Sequence, residues 1–202
     1  MTDKVSVWAN YYVDMISSAS VDVMATASPY SERRTEVSGG IDALHDDTSF
    51  SVAYTKSNEP DYHSNTVRVG VSQEFFGNLT TVGISYGRGW DEVLKHGDAS
   101  FKEDVNHHSY RVDVSQVITR SLVMSLNYEN LSDEGFLNNP YRSARFVDAG
   151  VGRGYSYERE IYPRTRTSDA IALRGKYYLP YRAALAAEYR YYRDSFGIDR
   201  KS

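Results

Sequence analysis

The chain has 202 residues, a formal net charge of −4, no cysteine and 18 tyrosines. That excludes a disulfide framework and thiolate metal sites, and it offers no basic run that would hold nucleic acid. No stretch approaches the roughly 18 consecutive apolar residues of a membrane helix, but membrane strands, which are apolar on one side only, stay open.

Period-two alternation predicts nine strands, over 4–13, 33–44, 48–57, 63–75, 79–90, 105–118, 121–131, 165–179 and 182–193. In 63–75, Val67, Val69 and Val71 oppose Arg68, Gly70 and Ser72. In 105–118, Val112 and Val114 oppose Arg111, Asp113 and Ser115. In 121–131, Leu122, Met124, Leu126 and Tyr128 oppose Val123, Ser125 and Asn127. In 182–193, Leu185, Ala187 and Tyr189 oppose Ala186, Glu188 and Arg190. The segment RVGVSQ (68–73) returns as RVDVSQ (111–116), each followed by a turn and a second alternating stretch that ends in tyrosine. Several of these strands exceed the roughly five or six residues of a soluble strand and match the roughly nine to eleven that cross a bilayer.

The connections alternate in length. Short turns are expected at 45–47, 76–78, 119–120 and 180–181, and longer polar loops at 14–32, 91–104 and 132–164. The link at 58–62 is short although it falls on the long-loop side. Tyr54, Tyr86, Tyr128 and Tyr189 each lie about seven or eight residues past a short turn, on the apolar parity of their strands. Eight residues of tilted strand climb roughly 19 Å. With Phe50, Phe75, Phe76 and Tyr181 near the turns, these tyrosines form a candidate pair of aromatic girdles around an apolar band. A soluble sandwich or lipocalin-like barrel also alternates. It does not account for strand length, loop asymmetry and tyrosine height together.

Four stretches carry a family resemblance: TASPYSERRTE (26–36), VSQEFFGNLTTVGISYGRG (71–89), NYENLSDEGFLNNPYRSAR (127–145) and the segment 162–198 beginning YPRTRTS. The chain resembles the uncharacterised outer-membrane β-barrel family known as domain of unknown function 3570, from about Val5 to Ile198. The resemblance implies a bacterial outer-membrane barrel and no established activity, ligand or catalytic residue. It also implies a longer chain that begins with a signal peptide, whereas MTDKVSVWANYY lacks the apolar core of one. The expectation is therefore a barrel fragment, with a tenth strand starting near Ile198 that pairs with 182–193, and no pairing between 4–13 and 182–193.

Candidate chemistry is sparse. His107 and His108 are adjacent and so point to opposite faces, His107 inward and His108 outward. Ser109 shares His107's face, but such neighbours stand nearly 7 Å apart, beyond the reach of a catalytic hydrogen bond. HDDT (45–48) reads as a turn, and the glycines of YGRGW (86–90) lack the following helix a phosphate cradle needs. No catalytic residue, metal site or cofactor is expected. The candidate lumen-facing set is Arg68, Arg111, Asp113, Arg174, Lys176, Glu188 and Arg190, which share the polar parity. A mixed-sign wall suits a water-filled or plugged lumen, or charges that pair across strands. The loop 132–164 folds inward as a plug or meets a partner outside.

The reading is all-β: a single antiparallel up-and-down transmembrane β-barrel domain over 1–202, incomplete at about nine or ten strands. The expected function is a pore, transport or export conduit in a bacterial outer membrane. A structural or surface ligand-binding barrel is the alternative, and a barrel hydrolase ranks below both. The expected partners are outer-membrane lipid and an unidentified periplasmic or surface partner, not nucleic acid.

Overall fold

The computed structural model describes residues 4–17, 31–147, 150, 154–197 and 199–201. The strands are β1 (Lys4–Ser17), β2 (Ser31–His45), β3 (Thr48–Asn58), β4 (Tyr62–Phe75), β5 (Thr80–Leu94), β6 (Lys102–Thr119), β7 (Leu122–Gly135), β8 (Ser143–Val147), β9 (Tyr155–Arg159), β10 (Thr165–Leu179), β11 (Ala183–Asp194) and β12 (Asp199–Lys201). Ten of them form one sheet in the order β1-β2-β3-β4-β5-β6-β7-β10-β11-β12, every neighbour antiparallel. This is an up-and-down meander, and among the described residues the sheet does not close: β1 and β12 are not paired. All nine expected strands are present. β12 is the expected tenth, antiparallel to β11 through Tyr191–Lys201 and Arg193–Asp199, while Ile198 lies outside the described residues.

The short turns are tight because they use left-handed backbone. Asp46, the Phe76–Asn78 segment, and Tyr181 with Arg182 all have positive φ, a region where Asp and Asn cost least and Gly nothing. The turn after β6 falls one residue later than expected, at 120–121, because a register shift between Val117 and Thr119 takes up a residue.

Two expectations need correction. β5 runs to Leu94 and β7 to Gly135, and β6 starts at Lys102, so the loop expected at 91–104 shrinks to 95–101. The loop expected at 132–164 contains the β8–β9 hairpin, a separate two-stranded sheet. For the strand ends the cause is that, towards the long-loop side, apolar and polar residues mix on both faces, so no apolar parity marks the strand while backbone pairing continues. The loop expected at 14–32 falls mostly outside the described residues.

The registers sort every strand onto two faces. One carries Val7, Ile41, Val52, Val69, Ile84, Val112, Leu126, Leu173 and Leu185, all exposed. Val71 is likewise exposed on this face and Val114 half-exposed. The other face carries serines, glycines and charges. Among the described residues, the buried apolar set is only Val93, Val105 and Ala170, whereas Asp91, Asp133, Asp194, Ser38, Ser57 and Ser168 are buried. The polarity is inverted relative to a water-soluble domain. Among the described residues no second sheet covers the apolar face, so the sandwich alternative finds no support there. No helix among the described residues is long and apolar enough to cross a membrane.

Candidate functional site

The polar face is concave. Arg111, Asp113, Asn127, Glu129, Ala170, Ala172, Arg174, Glu188 and Arg190, from four successive strands, line one trough along it. A second trough nearer the short turns has six serines in its lining, Ser49, Ser51, Ser72, Ser85, Ser115 and Ser125. All seven expected lumen-facing residues lie on this face. Arg111 donates to Glu129 at 3.0 Å and Arg174 to Glu188 at 2.5 Å, each pair on adjacent strands. Asn127 donates to Asp113. The Lys176 ammonium sits 5.1 Å from the Tyr178 ring centre. Arg68 and Arg190 are exposed and have no ion-pair partner among the described residues. The structure therefore brings some of the expected set together as cross-strand pairs and leaves others facing the open trough.

A second group was not foreseen. Past the tyrosine level, on the long-loop side, His107 lies between two aspartates. Its Nε2 is 2.8 Å from Asp91 Oδ2 and its Nδ1 is 2.7 Å from Asp133 Oδ1. Tyr62 donates its hydroxyl to Asp91 Oδ2 at 2.5 Å. Asp91 and Asp133 sit on the ends of β5 and β7 that the sequence reading placed in loops, and both are buried. Each ring nitrogen of a charged imidazole is a donor, so this arrangement suits the imidazolium. Hydrogen bonding to Asp133, then to Asp91, outweighs burial and raises the His107 pKa from 6.5 to about 9. For Asp91, burial pushes the pKa up, but hydrogen bonds from His107, Tyr62 and Ser64 prevail and hold it below the ordinary value. Burial and the Asp91 carboxylate push the Tyr62 phenol up.

The charges continue sideways. Arg166 stands opposite Asp133 in the register and donates to Asp194 at 2.8 Å and Tyr192 Oη at 2.8 Å. Across β5, β6, β7, β10 and β11 the row reads Asp91, His107, Asp133, Arg166, Asp194, alternating in sign. It forms an ionic hoop inside the long-loop rim.

His107 has both ring nitrogens engaged by carboxylates, leaving none free to take a proton from Ser109. His108 points to the other face, where its Nδ1 lies 2.7 Å from Tyr86 Oη.

The expected girdle tyrosines all lie on the apolar face, and three reach outward along it to polar partners. Tyr54 donates to Asn65 at 2.7 Å, Tyr128 donates to Asp169 at 2.6 Å, and Tyr86 pairs with His108. Each partner sits on the next strand, one side-chain step nearer the long loops. Tyr189 is exposed on the same face. The rings thus belong to the apolar band and the hydroxyls to the polar rim, the arrangement an interfacial tyrosine adopts.

These features define an up-and-down antiparallel β-sheet with one apolar face and one ionic face. The chain belongs to the family described as "Protein of unknown function (DUF3570)", whose model matches residues 5–111 and 91–201. No curated protein matches it. Among solved structures it is similar to the translocator domain of the autotransporter NalP from Neisseria meningitidis, with 16% identity and a TM-score of 0.40, covering 100% of this chain and 72% of that one. It is also similar to the beta domain of the Bordetella autotransporter BrkA, with 11% identity and a TM-score of 0.39, covering 98% of this chain and 82% of that one.

Proposed function

We propose that this chain forms a β-barrel wall in a bacterial outer membrane, long loops outward, and that its polar interior serves as a pore or export conduit. The observation that supports this most is the inversion of polarity: a continuous exposed apolar band on one face, ended by tyrosines bonded to polar groups, and buried ion pairs on the other. Lipid would cover the band, and water or a passing solute would meet Arg68, Arg190 and the cross-strand pairs. No enzymatic role is proposed, because both nitrogens of His107 are committed.

Single-channel recording on the full-length protein in a planar bilayer tests the conduit. Discrete conductance steps, altered in ion selectivity by Arg68→Glu and Arg190→Glu, are expected. A sealed bilayer with correctly inserted protein would favour the second reading, a surface ligand-binding barrel. That reading draws on the β8–β9 hairpin beyond the rim, which exposes Val147 and Tyr157.

A further inference from the structure

The apolar face carries two cations and a histidine just past its tyrosine level. Lys56 stands two residues beyond Tyr54 on β3, and Arg88 two beyond Tyr86 on β5. His108, on β6, is the direct cross-strand partner of Arg88. Asn65 of β4 lies opposite Lys56 and accepts the Tyr54 hydroxyl. Four adjacent strands thus present these side chains in one patch, above the Tyr86 and Tyr110 rings, whose centres are 5.2 Å apart.

Lys56 and Arg88 are exposed and have no ion-pair partner among the described residues. Glu92 and Asp104, the carboxylates of β5 and β6 on this face, oppose each other two side-chain steps further out. Glu92 is already held by Lys102 at 2.7 Å and lies 3.7 Å from His63. Unmatched cations beside an apolar band are favoured where an anion meets them at the interface.

We propose that Lys56, Arg88 and His108 bind the phosphate of a phosphorylated glycolipid in the leaflet on the long-loop side. The acyl chains run down the band over Tyr54, Tyr86 and the valines below. The proposal rests on the outer-membrane reading and deepens it by naming the lipid class that the wall selects. Arg supplies a fork to two phosphate oxygens and Lys a point charge. The Tyr86 hydroxyl orients the His108 ring.

The test uses full-length protein in a nonionic micelle, with Trp90 fluorescence as the reporter, since Trp90 lies on the same face opposite Asn65. The probes are bisphosphorylated lipid A, the same lipid after dephosphorylation, and inorganic phosphate. Saturable binding of the phosphorylated lipid alone is expected. Lys56→Gln with Arg88→Gln is expected to weaken it roughly thirtyfold, on the scale two surface cations contribute toward an anionic leaflet. Arg190→Gln, on the inner face, is expected to leave it unchanged. Equal binding of the dephosphorylated lipid, saturation by inorganic phosphate alone, or an unaffected double variant overturns the proposal. Heat-modifiable migration on a gel reports folding separately. A protein or variant that folds and binds both lipids alike refutes the lipid site only. A wild-type protein that never shows the heat-modifiable form refutes the barrel reading beneath it.

Discussion

Replacing His107 with glutamine removes the positive centre of the ionic hoop while nearly keeping its volume. The glutamine amide can donate to one aspartate, and the other is left buried without a cation. The Asp91 and Asp133 side chains are only 4% and 8% exposed, and that of His107 is 29% exposed. Leaving a buried charge unmatched costs about 3–5 kcal/mol. The rise of the His107 pKa from 6.5 to about 9 corresponds to about 3 kcal/mol at the usual free energy per pKa unit. The two figures agree in scale. The sign follows from linkage. A folded-state pKa above the unfolded one gives stability that is complete below about pH 6.5 and is lost as pH rises through about 9. The His107→Gln variant should therefore be about 3 kcal/mol less stable than the parent at pH 6, with the gap closing by about pH 10. Urea titration of the folded protein in lipid vesicles, repeated across that range, measures it, and amide exchange at the ends of β5 and β7 shows whether the rim opens first. A gap that is absent at pH 6, or constant from pH 6 to pH 10, would refute the assignment of an imidazolium between two carboxylates.

Three further outcomes are expected. Val112→Arg places a charge mid-strand on the apolar face and should cost about 2–4 kcal/mol in vesicle refolding, whereas Asp113→Asn, one residue along on the inner face, should cost far less. Gly135 has a φ of +129°, and an added Cβ would overlap the Asp104 carbonyl oxygen, so Gly135→Ala should cost about 1–3 kcal/mol and speed proteolysis at the start of β6. In lipase and protease assays, the full-length protein should show no activity that His107→Ala abolishes and His108→Ala spares. Such an activity would mean that His107 leaves its aspartates to act as a base.

The sequence disclosed strands where the two faces differ. Val69, Val112 and Leu126 alternate with Arg68, Asp113 and Asn127, so parity, strand number and the tyrosine level could all be read in advance. Beyond the tyrosines the contrast fades. Arg88, Trp90 and Glu92 face one way and Gly89, Asp91 and Val93 the other, so neither face is uniformly apolar and the strand looks like a loop. That concealed the hoop, because Asp91 and Asp133 meet His107 only if β5 and β7 continue to their observed ends. One signal was present: Asp91 keeps the parity of Gly87 and Gly89, and Asp133 that of Glu129 and Leu131. The β8–β9 hairpin gave less warning, since each strand has five residues and SARFV is exposed throughout.

In the proposed barrel wall the apolar face meets lipid and the ionic face meets water. Spin labels at Val69, Val71, Val112, Val114, Leu126 and Leu185, compared with labels at Arg68, Arg111 and Arg190, test it directly in full-length protein reconstituted into bilayers. The first set should be relaxed by dissolved oxygen and shielded from a water-soluble nickel complex, and the second set should show the reverse. Labels in the first set that are immobile and shielded from both reagents would mean a dry packed interior, and would contradict the account.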